Sequence, residues 1–193
     1  MLLMPLLTRP AIAAGQIATN PQPVLRVDEE LTLRPWHTDD AATVRAVYDD
    51  PETRRWHART LEDENEARQL IATWRQSWDQ ETGSHWAVVD SREVLMGRVA
   101  LGSMNLHEAV VGAGYWTAPA VRGRGVASRA LRAASRWAFD VAGFHRLELE
   151  HSTQNPAPCR VALNAGFQPE GTRVSAALHA DGWHDMHVHA LIR

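Results

Sequence analysis

A change in hydrophobic period near the middle of the chain restricts its possible folds more than any other feature. Three strand-like runs follow one another with short polar turns between them, at residues 86–89, 94–101 and 110–117. Such a pattern predicts an antiparallel meander. From residue 127 to residue 141 the apolar side chains then recur every three to four positions, with arginines on the opposite side, as in an amphipathic helix. The chain therefore places a long helix directly after a sheet.

The remaining elements complete a mixed α/β (α+β) order. Strand patterns lie at residues 31–34, 144–151, 168–174 and 183–192, and helix patterns follow the capping residues Thr38, Thr60 and Asn155. We therefore expect one domain over residues 28–193, built on a mixed and mostly antiparallel central sheet of about seven strands flanked by helices. Residues 1–27 contain four prolines and no sustained period, so a flexible leader is expected there.

The composition limits the classes of partner. A formal net charge of −3 argues against the broad basic surface that non-specific nucleic-acid binding requires. The single cysteine, Cys159, cannot form an internal disulfide, which favours the cytoplasm. The apolar start of the chain is too short to cross a bilayer, so no membrane partner is expected. A homodimer is the assembly that base rates favour.

The most informative segment is the glycine-rich turn between the third strand run and the long helix. It reads Val121-Arg122-Gly123-Arg124-Gly125-Val126-Ala127. Glycine lets the backbone approach a ligand closely, and the first N–H groups of a helix have no intrahelical partner. The turn is therefore suited to binding a pyrophosphate, although its spacing fits neither the dinucleotide fingerprint nor the P-loop. The alternative interpretation is a solvated basic turn.

Two segments resemble a known family. Arg122-x-x-Gly125-x-Ala127 matches the Q/R-x-x-G-x-G/A acetyl-CoA motif of GNAT N-acetyltransferases, and residues 155–167 resemble the corresponding segment of the Rim-type branch, the ribosomal-protein N-terminal acetyltransferases. The resemblance covers residues 31–193 and implies the GNAT fold, with a CoA-binding loop between strand 4 and the third helix. It also implies that acetyl-CoA donates an acetyl group to a primary amine, on a protein or peptide N-terminus or a small molecule, by direct attack in a ternary complex.

The resemblance also implies which residues bind the cofactor. The backbone of the turn would hold the pyrophosphate, a strand end would run along the pantetheine arm, and the start of the following short helix would add further contacts. These groups are, in the same order, Arg122, Gly123, Arg124, Gly125, Val126 and Ala127; then Trp116, Thr117 and Ala118; then Asn155 and Arg160.

The catalytic groups are less clear from the sequence, because two family positions are changed. Pro158 stands where relatives often carry a serine that protonates the departing thiolate, and Gly112 stands where they often carry a glutamate. The candidates that are left are His151 as a base, Cys159 as an acid or a nucleophile, and Tyr115 as an acid, each of which has ordinary packing as its alternative role. The amine acceptor is expected to meet residues of the first helices, namely Trp36, Arg54, Arg55, Trp56 and His57.

Two other functions stay open at this point. With Pro158 and Gly112 in place of chemical groups, the same fold could serve as a non-catalytic acyl-CoA-binding sensor. A metal-binding β protein is the other alternative, because Asp185, His187 and His189 fall on one face of a strand. The acetyltransferase interpretation assigns no metal.

Overall fold

An eight-stranded sheet organises the computed structural model, which describes residues 7–57 and 59–193. The spatial order is β1-β2-β3-β4-β5-β6-β8-β7, and every neighbouring pair is antiparallel except β5 and β6. The strands are β1 (Leu25–Arg26), β2 (Leu31–Arg34), β3 (Gly83–Asp90), β4 (Leu95–Asn105), β5 (Val110–Thr117), β6 (Arg146–Ser152), β7 (Gln168–His179) and β8 (Gly182–Ile192). The mixed, mostly antiparallel sheet is confirmed, and the two-residue β1 is the strand that the sequence pattern missed.

Helices cover both faces of the sheet. They are α1 (Ala41–Asp49), α2 (Pro51–Trp56), α3 (Glu64–Asp79), α4 (Val126–Trp137) and α5 (Ala157–Ala165). On one face, α1 and α3 bury apolar side chains against Ala87, Val89 and Trp116. On the other face, α4 and α5 pack on Val99, Leu101 and Val111. We call these the α3 face and the α4 face. No helix among the described residues is long and apolar enough to span a membrane.

Local capping explains where the helices begin and end. Helix α3 starts after Asp63, whose side chain accepts a hydrogen bond from the Glu66 N–H, so the expected capping by Thr60 is wrong. Asp50 caps α2 by accepting from the Thr53 N–H, with Pro51 at the first helical position, which suits proline. Gly166 ends α5 in the left-handed conformation at φ 99°, as the sequence predicted.

The parallel pair β5 and β6 separates along its length. The two strands pair only from Val110 to Gly112 and from Arg146 to Glu148. Beyond these residues, β5 continues to Thr117 and β6 to Ser152 without pairing to one another. The free strand ends leave an opening in the middle of the sheet, and the glycine-rich turn follows one of them.

The expectation of a flexible leader needs correction for the described residues. Ile12 is completely buried and Ile17 is 7% exposed. The Ile12 N–H donates to the carbonyl of Leu106 at 3.0 Å, and the Trp78 indole donates to the carbonyl of Asn20 at 3.0 Å. Apart from the two-residue β1 the segment has no helix or strand among its described residues, yet its apolar side chains cover the edge of the α4-face core. Residues 1–6 lie outside the described part of the chain.

Glu81 fastens this segment to the domain. Its carboxylate accepts hydrogen bonds from the N–H groups of Gly15 at 2.5 Å, Ile17 at 2.6 Å and Ala18 at 3.0 Å. Burial tends to raise the pKa of Glu81, but the three donated N–H groups outweigh it and hold the pKa below its usual range. Glu81 therefore contributes stability above its unfolded pKa, and this stability is lost as the pH falls through the lower, folded value.

Replacing Glu81 should loosen the whole N-terminal segment. Glu81→Ala removes the acceptor of three backbone N–H groups, and we expect a loss of about 3 kcal/mol in the free energy of unfolding. Urea titration at pH 7 measures the loss, and limited proteolysis should show earlier cleavage before residue 27. Glu29→Ala, at an exposed position, is the control. Equal stability of the two variants would show that the segment is held by apolar packing alone.

Candidate active site

The glycine-rich turn forms a cradle of backbone N–H groups at the start of α4. Gly123 and Gly125 adopt the left-handed conformation, with φ of 77° and 73°, which a side chain disfavours. Within the described residues, the N–H groups of these two glycines have no hydrogen-bond partner. The first N–H groups of α4 add further free donors and the positive end of the helix dipole. The cradle is therefore built to bind an anion.

Arg122 connects this cradle to α2. Its guanidinium donates to the carboxylate of Asp50 and, at 2.9 Å, to the hydroxyl of Thr53. The same contact with Arg122 lowers the pKa of Asp50. Because the Arg122 guanidinium already pairs with the Asp50 carboxylate, its positive charge is only partly available to bind phosphates. The backbone N–H groups are therefore the main anion-binding groups of the cradle.

A cavity of about 730 Å³ extends from the cradle through the opening between β5 and β6. It reaches both faces of the sheet, because its lining includes Val126 and Val161 on the α4 face and Trp56 and Arg98 on the α3 face. Most of the expected cofactor residues line it: Trp116, Thr117, Arg122, Gly123, Gly125, Val126, Ala127, Asn155 and Arg160. Ala118 and Arg124 do not line it.

Three expected catalytic residues meet on the α4 face. Tyr115 and His151 line the cavity, and the Sγ of Cys159 lies 3.2 Å from Nε2 of His151. Nδ1 of His151 is 2.9 Å from the carbonyl of Ser152. A carbonyl only accepts, so Nδ1 carries the proton and Nε2 is left to accept from the thiol. His187 completes the group, with Nδ1 3.5 Å from the same sulfur.

Burial sets the protonation of this cluster. Desolvation lowers the pKa of His151, and repulsion from His187 lowers it further. His189, stacked on His151 at a ring distance of 5.2 Å, also has its pKa lowered by burial and by both neighbouring histidines. Burial raises the pKa of Tyr115, and the nearby Cys159 adds to this effect. At neutral pH the α4 side of the cavity therefore offers a neutral imidazole and a phenol that keeps its proton.

The donor trio expected for a metal is not assembled. Asp185 accepts a hydrogen bond from the Ser175 N–H at 2.8 Å and does not join His187 and His189. A different set comes together, since ligand atoms of His151, Cys159 and His187 all lie within 4.8 Å of one another. Two imidazoles and a thiolate are ligands that Zn²⁺ accepts, so assays of this site require a chelator.

The residues expected to bind the acceptor separate into two groups. Trp56 and His57 line the cavity on the α3 face. Trp36 does not, because it is 1% exposed and packs between Trp74 and Trp116 at ring distances of 4.8 and 6.0 Å. Arg54 and Arg55 also lie outside the lining. The expected role of Trp36 is thus corrected to that of a core residue, since its strand-to-helix position turns it inward.

A hydrogen-bonded chain on the α3 face was missed by the sequence analysis. Ser152 lines the cavity, and its Oγ lies 2.8 Å from Nδ1 of His184. Nε2 of His184 lies 2.9 Å from a carboxylate oxygen of Asp181. The carboxylate accepts from Nε2–H, so Nδ1 is free to accept the Ser152 proton. The Asp181/His184 spacing across a hairpin turn is visible in the sequence, but the pairing of β6 with β8 that brings Ser152 to it is not.

Comparison with known proteins agrees with this geometry. A family model described as the acetyltransferase (GNAT) domain matches residues 30–168, and the chain belongs to this family. Uncharacterized N-acetyltransferase YoaA of Bacillus subtilis (strain 168) is 24% identical over 174 residues, which are 89% of this chain and 97% of that protein.

Solved structures share the fold. RimL, a ribosomal-protein α-N-acetyltransferase solved with coenzyme A, superimposes with a TM-score of 0.82 at 17% identity, covering 88% of this chain and 98% of that chain. The microcin self-immunity acetyltransferase MccE, solved with acetyl-CoA and AMP, gives 0.81 at 16% identity, covering 86% and 94%. The expected family is therefore confirmed. The protein is an N-acetyltransferase that takes its acetyl group from acetyl-CoA and passes it to an amine.

Proposed function

We propose that acetyl-CoA and the amine enter the cavity from opposite faces of the sheet and react in the opening between β5 and β6. The observation that carries this proposal is the separation of the two strands after Gly112 and Glu148. The cradle at α4 would hold the pyrophosphate, and the free edge of β5 at Trp116 and Thr117 would pair with the pantetheine amides. The acetyl group then lies in the opening, within reach of an amine from the α3 face.

The α4-face cluster supplies the proton for the leaving group. Attack of the amine nitrogen on the carbonyl carbon breaks the carbon–sulfur bond and leaves a thiolate. Pro158 lines this region but has no proton to give. Tyr115, a hydroxyl of this face that keeps its proton, donates it to the sulfur, and solvent water returns a proton to the phenolate after the product leaves.

The α3-face chain accepts the proton that the amine loses. Ser152 and His184 are 4% and 3% exposed, so bulk water is largely excluded from their hydrogen bond. As a bond forms to carbon, the nitrogen becomes acidic, and its proton passes through the Ser152 hydroxyl to His184, with Asp181 stabilising the imidazolium. The proton balance closes, because the amine loses one proton and the thiolate gains one.

The acceptor is proposed to be the N-terminal amine of a peptide or protein. The cavity is open on the α3 face between α2 and the β7–β8 hairpin, where the rings of Trp56 and His179 meet edge to face with 6.4 Å between their centres. An extended chain can enter through such an opening. A cytoplasmic location and a homodimer stay predictions from the single cysteine and from base rates.

Calorimetry followed by a transfer assay tests the function. Titration with acetyl-CoA in the presence of a chelator should give saturable binding near −8 kcal/mol, a micromolar dissociation constant. Incubation with a mixture of short peptides should then add an acetyl group to their N-termini, measured by mass spectrometry. Binding without transfer to any amine would support the sensor interpretation, and the absence of binding would contradict the cofactor site.

A further inference from the structure

A half-buried cation with no carboxylate partner among the described residues lies on the acceptor side of the cavity. Arg98 in the middle of β4 pairs with Trp116 of β5, which places its side chain on the α3 face. Arg98 is one of the residues that line the cavity. Its Nη2 lies 2.6 Å from Nδ1 of His85, and its centre lies 4.6 Å from the ring centre of Trp74. Its Nε–H is buried and has no partner among the described residues.

No carboxylate of the described residues compensates this charge. The two carboxylates that line the cavity are engaged elsewhere: Glu52 accepts from the Trp56 indole at 2.9 Å, and Glu150 accepts from Arg173 at 2.6 Å. The contacts that Arg98 does make, with an imidazole and an indole, are to neutral groups. A buried guanidinium normally has an anionic partner, because leaving it unpaired is costly.

The excess of positive charge lowers the pKa values of the groups around Arg98. Burial lowers the pKa of Arg98 to about 10; the nearby Tyr48 opposes this effect, and repulsion from Arg59 adds to it. Burial and the charge of Arg98 lower the pKa of His57 to about 4 and that of His85 to about 3. The two histidines therefore stay neutral, and this end of the cavity keeps one strong positive centre.

From this arrangement we infer that the acceptor amine carries a carboxylate, which enters the α3 side of the cavity and pairs with Arg98. The inference rests on the proposed function, since it names the class of acceptor for the same site. A guanidinium can bind a carboxylate through two parallel hydrogen bonds, and the unsatisfied Nε–H is one of the two donors that this geometry uses. The same charge disfavours polyamines and other polycationic acceptors. The carboxylate can belong to a free amino acid or to an acidic side chain near a peptide N-terminus.

Matched pairs of acceptors separate these two sources. L-leucine against L-leucinamide reports on an α-carboxylate, and alanyl-glutamyl-alanine amide against alanyl-glutaminyl-alanine amide reports on a side-chain carboxylate. In at least one pair, the wild-type protein should show a kcat/KM at least tenfold higher for the charged member. Equal rates in both pairs, or a preference for the neutral members, would overturn the inference.

The variant Arg98→Gln tests the residue itself. It should lower kcat/KM for the preferred charged acceptor about fiftyfold and change that for its neutral partner less than threefold, with unchanged affinity for acetyl-CoA. Equal losses on both members would mean that Arg98 is only structural. Because the variant removes an uncompensated buried charge, its melting temperature should not fall, and a large fall would also favour a structural role.

A binding measurement tests the anion site at Arg98 without depending on acetyl transfer. With coenzyme A present, the charged acceptor that the rate assay prefers should bind to wild-type protein and bind at least tenfold more weakly to Arg98→Gln by calorimetry. This result would support the anion site even if no acetyl group were transferred. Turnover of neutral amines with equal binding of both peptides would leave the acetyltransferase function intact and reject the anion site alone.

Discussion

Gly125→Asp should weaken the binding of acetyl-CoA at least 100-fold, while Gly125→Asn should weaken it only about tenfold. Both side chains have nearly the same volume, and both asparagine and aspartate tolerate the left-handed conformation of Gly125 better than other residues do. A built Cβ meets nothing closer than the Ser128 hydroxyl at 4.0 Å, so the fold should survive either change. The difference between the variants therefore measures the effect of one negative charge in the cradle.

Calorimetric titration of both variants with acetyl-CoA and with coenzyme A measures this difference. A tenfold change in affinity corresponds to about 1.4 kcal/mol, which is within the range of a charge placed against a helix N-terminus and a phosphate. The two variants should keep equal melting temperatures in the absence of ligand. Equal affinities of the Asp and Asn variants would show that the cradle does not hold the phosphates.

The cofactor half of the site could be predicted from the sequence because its signals are local. A strand, a turn with Gly123 and Gly125 and an amphipathic helix follow one another in the chain, and each has its own residue pattern. In the proposed role the backbone N–H groups of the turn bind the phosphates, so no distant residue is needed to complete this part of the site. The same holds for Gly166, whose conformation follows from the helix end beside it.

The acceptor half could not be predicted, because distant segments build it. Arg98 lies in a strand run that looks like any other, and its significance depends on the absence of a carboxylate near it in space. Ser152 and His184 are 32 positions apart and meet only because β6 pairs with β8. The contact of Glu81 with the N-terminal segment spans 63 to 66 positions, which explains why that segment looked flexible in sequence.

The two faces of the sheet carry the groups for different steps of the proposed reaction. The α4 face holds a neutral imidazole, a thiol and a protonated phenol, which together can return a proton to sulfur. The α3 face holds a relay that can take a proton and a cation that can orient the acceptor. The opening between β5 and β6 connects them, so in the proposed mechanism the strand separation allows a direct attack. The changed positions Pro158 and Gly112 are consistent with this division, because other residues supply the proton chemistry.

The largest effect on catalysis is expected from Tyr115→Phe, which should lower kcat about 100-fold, as the loss of a general acid does, with the affinity for acetyl-CoA unchanged. The control is the same substitution at the other tyrosine, Tyr48→Phe, since Tyr48 is 6% exposed and packs in the α3-face core outside the cavity lining. Single-turnover measurement of acetyl transfer at saturating acetyl-CoA separates the chemical step from binding. Equal rates of the two variants would remove Tyr115 from the mechanism.

The pH dependence of kcat gives an independent check on the same cluster. The raised pKa of Tyr115 means that the phenol keeps its proton through neutral and mildly alkaline pH. The pKa of His151 is lowered by burial and by His187, so the neutral imidazole persists below the ordinary histidine value of about 6.5. Protonation of His151 should therefore lower kcat only below that value, and His151→Gln should remove this part of the acid limb. An acid limb centred above pH 7 that survives in His151→Gln would assign the titrating group elsewhere, because protonation of His151 can only occur on the acid side of its unperturbed value.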